Sequence, residues 1–155
     1  MVDIPPREIP AWKQIQDSIP KTELAKDGIE DHCHITVKFG LHDSSPDKVR
    51  KVIRDFGPIS LTFGGTSLFT SDMHDVLIVE VDSDDLHRLN ALIKKSVKCT
   101  DTFPVYKPHL TIAYLKPGKG KKYKGRDDFA GISCTVDKVE FSSKDRQKYT
   151  LPINE

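Results

Sequence analysis

Two short runs in which apolar and polar residues alternate constrain the fold most. The first is HCHITVKFG at residues 32–40, and the second is PHLTIAYL at residues 108–115. Alternation with a period of two is typical of a β-strand that buries one face and exposes the other. We therefore predict strands over 33–39 and 108–115, separated by about half the length of the chain.

The polar faces of these two strands carry the same pair of side chains. His34 and Thr36 share one face of the first strand, and His109 and Thr111 share one face of the second. Strict alternation places Tyr114 on the opposite, apolar face of the second strand. Two strand rises separate the Cα atoms of each pair by roughly 6.5 to 7 Å, a span that one phosphate can bridge.

The rest of the chain predicts an α+β fold with mostly antiparallel sheets. Strand patterns outnumber helix patterns and do not alternate regularly with them, which disfavours a doubly wound parallel sheet. Gly64-Gly65 predicts a bulge or bend, and residues 82–84 predict a helix N-cap. We expect one domain over 1–155, with 19–32 as a loop. The other predicted helices are 11–18, 46–56 and 84–97, and the other predicted strands are 59–69, 75–81, 132–141 and 148–153.

Composition excludes several classes of protein. The net charge of +1 argues against binding to long nucleic acids through bulk charge. Cys33, Cys99 and Cys134 are odd in number and form no CxxC spacing, which is typical of reduced thiols in the cytosol. We see no signal peptide and no apolar run long enough to span a membrane, so we expect a cytoplasmic protein without a membrane partner.

The histidine and threonine pairs suggest phosphoryl-transfer chemistry if the two strands lie side by side. Imidazoles titrate near neutral pH, so one can accept a proton from an attacking hydroxyl while the other protonates the leaving oxygen. Threonine hydroxyls can donate hydrogen bonds to the non-bridging phosphate oxygens. This scheme requires no metal ion and no cofactor.

HITV and HLTI both match the signature of the two-histidine (2H) phosphoesterase superfamily, which the sequence resembles. The resemblance implies a bilobal fold of two pseudo-symmetric lobes around a central cleft, with His34 and His109 as the acid and base and Thr36 and Thr111 holding the phosphate. Over residues 25–145, IEDHCHITVKFGLH, FPVYKPHLTIAYLKPGKGKKY and VEFSSKD are similar to the anti-CBASS group of phage and prophage 2H proteins. That likeness implies a substrate among the cyclic di- and trinucleotide messengers of bacterial immunity.

Five further residues are candidates for substrate binding. Tyr106 either holds the substrate or packs in the core, and Lys38 either favours a phosphate or ends a solvent-facing strand. By the resemblance, Glu140 contacts a base edge or a ribose hydroxyl. Trp12 and Phe69 are either platforms for base stacking or core residues.

The basic segment LKPGKGKKYKGR at 115–126 follows the second strand directly. A run of charge is usually a solvated loop. Its position also suits a flexible lid over an anionic substrate, in which Lys121 and Lys122 bind phosphates and Tyr123 stacks.

A metal centre is disfavoured by the sequence. His32 and His34 have a ligand-like spacing, but no further ligands follow at the spacing of metallohydrolases, and we predict that His32 is an incidental surface residue. The leading hypothesis is a metal-independent phosphodiesterase acting on cyclic oligonucleotides. The alternatives are hydrolysis of 2′,3′-cyclic phosphates during RNA end processing, and a non-catalytic module that sequesters nucleotides.

Overall fold

The computed structural model describes residues 1–38, 40–100, 105–143 and 145–153. Within these ranges it contains three α-helices and nine β-strands. The helices are α1 (Ala11–Ser18), α2 (Asp47–Arg54) and α3 (Asp84–Ser96). The strands are β1 (Val2–Asp3), β2 (Leu24–Ile29), β3 (His34–Ile35), β4 (Ile59–Thr70), β5 (Asp75–Asp82), β6 (His109–Leu115), β7 (Ser133–Val136), β8 (Lys138–Ser142) and β9 (Lys148–Pro152).

Strand β6 lies at the centre of the main sheet. One of its edges pairs with β5, and its other edge pairs with β3 and then with β2. The order across the sheet is β1-β3-β6-β5-β4-β7, and every pairing among the described residues is antiparallel. The β8-β9 hairpin extends this order, because the amide of Glu140 in β8 donates to the carbonyl of Met1 beside β1. The predicted α+β fold with mostly antiparallel strands is confirmed.

The helices cover the apolar sides of these strands. Helix α3 begins at the predicted N-cap, where the hydroxyl of Ser83 accepts a hydrogen bond of 3.1 Å from the amide of Leu86. Helix α1 packs against β6 and buries Trp12. Ile35 and Leu110, the middle residues of the two histidine motifs, are fully buried in the core. No helix among the described residues is long and apolar enough to cross a membrane.

Two predicted boundaries are wrong. Residues 19–32 contain strand β2 instead of a continuous loop. Its pattern is irregular because Gly28 has a positive φ of 65° and the register against β6 shifts along it. The predicted strand 132–141 divides at Asp137, where β7 leaves its partner β4 and β8 joins β9.

The first histidine strand is shorter than predicted. Only His34–Ile35 is hydrogen-bonded as a β-strand, although residues 33–38 keep the alternation of buried and half-buried side chains. Phe39, the predicted end of this strand, lies outside the described residues.

Strand β6 contains a bulge that alternation does not predict. Thr111 lies opposite Ile78 of β5, whereas Ala113 lies opposite Leu77, so two steps of β6 correspond to one step of β5. The extra residue reverses the faces that follow it. Ala113 is fully buried, and Tyr114 joins the face of Thr111, which corrects the prediction that Tyr114 lies opposite. The bulge predicted at Gly64-Gly65 in β4 is confirmed by the register shift between Phe63 and Thr66.

Candidate active site

The two histidine motifs are adjacent and related by a local twofold axis. Ile35 of β3 pairs with Leu110 of β6 in antiparallel register. Extending this register by one residue in each direction places His34 opposite Thr111 and Thr36 opposite His109. Each histidine therefore faces the threonine of the other motif. We call residues 34–36 the first motif and residues 109–111 the second motif.

Both imidazole rings are fixed by the same backbone hydrogen bond. Nδ1 of His34 lies 2.7 Å from the carbonyl oxygen of His32, and Nδ1 of His109 lies 2.7 Å from the carbonyl oxygen of Lys107. A carbonyl oxygen only accepts, so Nδ1 carries the proton in both rings. Nε2 is therefore the nitrogen left for chemistry: it is a base in a neutral ring and an acid in a protonated one.

Side-chain donors hold the backbone of the first motif. The hydroxyl of Tyr106 donates to the carbonyl of Thr36 at 2.8 Å, and the amide of Asn90 in α3 donates to the carbonyl of Val37 at 2.7 Å. Burial raises the pKa of the Tyr106 phenol, which keeps its hydroxyl protonated as a donor. The structure thus places Tyr106 at the site, with its hydroxyl directed to the backbone.

The backbone of the second motif is held in a corresponding way from α1. The indole Nε1 of Trp12 donates to the carbonyl of Thr111 at 3.0 Å, and the buried amide of Gln16 donates to the carbonyl of Ile112 at 2.9 Å. In each strand, the carbonyl of the motif threonine therefore accepts a bond from an aromatic side chain, and the carbonyl of the next residue accepts one from an amide side chain. Such bonds limit movement of the strands that carry the histidines.

The second histidine has an apolar neighbour. The rings of Phe69 and His109 meet edge to face with centroids 4.8 Å apart. Burial lowers the pKa of His109, nearby His34 lowers it further, and the hydrogen bond to the Lys107 carbonyl opposes this shift in part. A lowered pKa favours the neutral imidazole, which is the form that accepts a proton.

The first histidine has a polar neighbour instead. The ring of His32 stacks on that of His34 with centroids 4.5 Å apart, and Nε2 of His32 lies 2.7 Å from a carboxylate oxygen of Asp3. The structure differs from the prediction that His32 is incidental, because its ring stacks on His34 and its carbonyl oxygen accepts the hydrogen bond from Nδ1 of His34. The side-chain pattern could not reveal this role, since it depends on β1 lying beside β3.

Both motifs open into one cleft of about 810 Å³. All four motif residues line it, together with the predicted residues Lys38, Tyr106 and Phe69. Among the residues that the structure describes, three lysines contribute to the lining, namely Lys38, Lys94 and Lys107. Glu30 and Tyr114 also line the cleft and were missed by sequence reasoning, because one lies in the supposed loop and the other follows the bulge.

Trp12 is not a stacking platform. Its side chain is only 5% exposed, it is absent from the cleft lining, and its nitrogen is bonded to the strand behind Thr111. Glu140 also lies away from the cleft, since β1 separates β8 from β3. The Glu140 carboxylate is close to Asp3, His32 and Lys148. The predicted contact of Glu140 with a base or a ribose is therefore corrected.

The basic segment 115–126 is not a lid over the cleft. Lys122 forms an ion pair with Glu23, and the hydroxyl of Tyr123 donates to the same carboxylate at 2.9 Å. The amides of residues 118 and 120 both donate to Asp75 at 3.0 Å. Tyr123 is buried, and neither Lys121 nor Lys122 lines the cleft, so the structure does not bring these three residues to the site as the lid prediction expects.

One group among the described residues has its donor atoms close enough for a metal ion: Asp3, His32 and Glu140, within 4.8 Å of one another. These residues lie outside the cleft lining, and Nε2 of His32 is already bonded to Asp3. Within this group, His32 and Asp3 form a hydrogen bond beside His34.

A paired histidine and threonine on each of two neighbouring strands, with both Nε2 atoms available to one cleft, is a site for phosphoester chemistry. The family model of the 2′-5′ RNA ligase superfamily matches residues 10–148. The chain belongs to this superfamily of two-histidine phosphoesterases, and the mixed α/β fold with its mostly antiparallel, nearly closed sheet is consistent with membership. No curated protein matches the chain significantly.

Proposed function

We propose that the protein is a phosphodiesterase that cleaves cyclic oligonucleotides by acid and base catalysis from two histidines. The observation that carries this proposal is the local twofold arrangement, in which His34 faces Thr111 and His109 faces Thr36 around one cleft. Membership of the superfamily supports phosphodiester chemistry in general. The choice of a cyclic oligonucleotide rests on the features of the cleft described below.

The different surroundings of the two histidines support a different role for each in the proposed mechanism. His109 has a lowered pKa, so its neutral Nε2 takes the proton from the attacking hydroxyl of water or of an adjacent ribose. As the new O–P bond forms and the old one breaks, protonated Nε2 of His34 gives its proton to the leaving oxygen. The hydroxyls of Thr36 and Thr111 donate to the non-bridging oxygens, where negative charge is held in the transition state.

The cleft has features that suit more than one phosphate. Its volume of about 810 Å³ is in the upper part of the range for sites that enclose a drug-sized ligand. With one phosphodiester between the two motifs, Lys38, Lys94 and Lys107 offer positive charge to a second one. A cyclic di- or trinucleotide has this arrangement of phosphates, whereas a 2′,3′-cyclic mononucleotide has only one.

Cyclic di- and trinucleotides are the messengers implied by the likeness of the motif flanks to the anti-CBASS group. Their hydrolysis in a bacterial cytoplasm would remove an immune signal, which is the counter-defence role that we propose. The mechanism assigns both proton transfers to imidazoles, so it predicts turnover without an added metal ion.

The test is a turnover assay on protein treated with EDTA. The panel contains cyclic dinucleotides, a cyclic trinucleotide and a 2′,3′-cyclic mononucleotide, and products are separated by chromatography. We expect turnover of a cyclic di- or trinucleotide by the wild type, and a loss of about 10²- to 10⁴-fold in His34→Ala and in His109→Ala. Lys13→Ala, on the exposed face of α1, is the control and should match the wild type.

Each other outcome contradicts a defined part of the proposal. Turnover abolished by EDTA and restored by a divalent ion would contradict the two-histidine mechanism. Turnover confined to the 2′,3′-cyclic mononucleotide would replace the proposed substrate with one from RNA end processing. Tight binding without turnover would replace the enzyme with a nucleotide-sequestering protein.

A further inference from the structure

We infer that the end of the cleft formed by Glu30 and Tyr114 is a subsite for a nucleobase and that it selects guanine. This inference rests on the proposed function, because it names the base that the same cleft would accept. It is carried by a row of residues across three strands and by the single carboxylate at the end of that row.

The row is defined by strand register. Phe69 of β4 pairs with Val76 of β5, and Val76 pairs with Tyr114 of β6. All three residues line the cleft. The bulge in β6 is what brings Tyr114 into this row, since an unbroken strand would direct it into the core. The result is an aromatic and aliphatic surface of the kind on which a base stacks.

Glu30 closes the row at the Tyr114 end. The hydroxyl of Tyr114 donates to Oε2 of Glu30 at 3.4 Å, and the amide of His32 donates to Oε1 at 3.2 Å. Burial raises the pKa of the Tyr114 phenol and the charge of Glu30 raises it further, so the phenol stays a donor. Each carboxylate oxygen thus has one partner and a second acceptor position for a ligand.

The negative charge of Glu30 is unexpected in a cleft that binds a phosphodiester. Glu30 is the one acidic residue among the described residues that line the cleft, and its charge repels phosphate. It lies four residues before His34, whereas Lys38 lies four residues after. The cleft is therefore polarised, and the acidic end suits the part of a nucleotide that carries hydrogen-bond donors.

Guanine is the base whose donors match a carboxylate best. Its N1–H and N2–H₂ groups are neighbours on one edge and can donate side by side to the two oxygens. Adenine and cytosine each place a ring acceptor beside their amino group, and uracil places carbonyl oxygens on both sides of its N–H. These acceptors would face the negative charge of Glu30.

The spacing between the subsite and the motifs fits one nucleotide. Thr111 lies opposite Ile78 of β5 and Tyr114 lies opposite Val76, so the two residues are two regular strand steps apart, or roughly 7 Å. A base on Tyr114 and Glu30 and a phosphate at the histidines would then belong to one nucleotide.

The test measures binding and turnover separately, so that this inference and the proposed function can fail independently. Equilibrium dialysis with His109→Ala protein compares a cyclic dinucleotide of two guanines with one of two adenines. We expect the guanine compound to bind on the order of tenfold or more tightly, the discrimination of a good bidentate contact. Turnover of the same two compounds is then measured with the wild-type protein.

Glu30→Gln, in the same background, identifies the residue responsible. Glutamine keeps an oxygen for the His32 amide but presents an amino group that opposes the donors of guanine and suits adenine. We expect the guanine preference to fall to about one or to reverse. Asp31→Asn, which removes a neighbouring exposed carboxylate outside the cleft lining, should keep the preference.

Equal affinity for the two compounds, tighter binding of the adenine compound, or an unchanged preference in Glu30→Gln would each overturn the guanine subsite. If the wild type turns over both compounds equally, the proposed function stands and the subsite fails. If guanine selectivity by Glu30 is found without any turnover, the subsite stands and the proposed function fails. Absence of binding by either compound would overturn the subsite, and the turnover panel described above would then decide the proposed function.

Discussion

The two histidine motifs have the same scaffold but different neighbours. In each, Nδ1 is bonded to the carbonyl two residues earlier, and two consecutive carbonyls accept bonds from an aromatic and an amide side chain. His34 nevertheless stacks on the polar ring of His32, whereas His109 meets the edge of Phe69. In the proposed mechanism, symmetric supports hold two chemically identical side chains, and their different neighbours favour opposite proton-transfer roles.

The largest expected effect comes from removing either imidazole. Because each histidine carries one proton transfer, His34→Ala and His109→Ala should each lower kcat by about 10²- to 10⁴-fold with the folded state retained. Single-turnover kinetics and circular dichroism measure the two quantities. A full rate in either variant would show that the two motifs do not share the reaction.

Removing one backbone support of the first motif should reduce the stability of the folded protein. Tyr106→Phe keeps the ring but leaves the carbonyl of Thr36 without its donor, which should reduce the free energy of unfolding by about 1 to 3 kcal/mol. Urea denaturation measures this change. Tyr149→Phe is the matched control, because its hydroxyl contacts only the exposed side chain of Gln147 among the described residues, and it should be nearly neutral. Equal effects in both variants would contradict a supporting role for Tyr106.

The apolar neighbour of His109 should be visible in the pH dependence of the reaction. Burial lowers the pKa of His109, so the acid limb of kcat/KM lies below the ordinary pH range of a histidine base. Phe69→Ala admits water to the ring, which raises that pKa and moves the acid limb to higher pH. The shift is measured from kcat/KM as a function of pH, for the wild type and for Phe69→Ala with the same substrate. An unchanged limb, or one that moves to lower pH, would contradict desolvation as the cause.

Replacement of His32, the polar neighbour of His34, should have the smallest effect on kcat. His32→Phe keeps a flat ring against His34 and the backbone carbonyl, but removes the bond to Asp3. A single hydrogen bond of about 1 kcal/mol corresponds to about a fivefold change, so kcat should fall by roughly that factor. His32→Ala, which also removes the stacked ring, should lower kcat further. If both variants retain the full rate, His32 does not position His34.

Sequence periodicity was sufficient for the core of the site and failed where the backbone departs from regularity. The faces of His34, Thr36, His109 and Thr111 follow from alternation, and the register of Ile35 with Leu110 brings them together. Tyr114 was placed on the wrong face because a bulge has no reliable pattern in the sequence.

The other errors have a different cause. Trp12 and Lys122 were interpreted from residue type, yet their positions depend on contacts more than 90 residues away in the chain, with Thr111 and Glu23 respectively. His32 and Glu30 have their neighbours in β1 and β6, which lie beside them only in the folded sheet. Long-range contacts of this kind are not encoded in local composition.

The central claim is that two motifs separated by 75 positions (109 − 34) form one catalytic unit. It is tested most directly by a double-mutant cycle on kcat with His34→Ala, His109→Ala and the double variant. Residues that act in one concerted step have strongly non-additive effects. We predict that the double variant is about as slow as the slower single variant, and a multiplicative loss would contradict the claim.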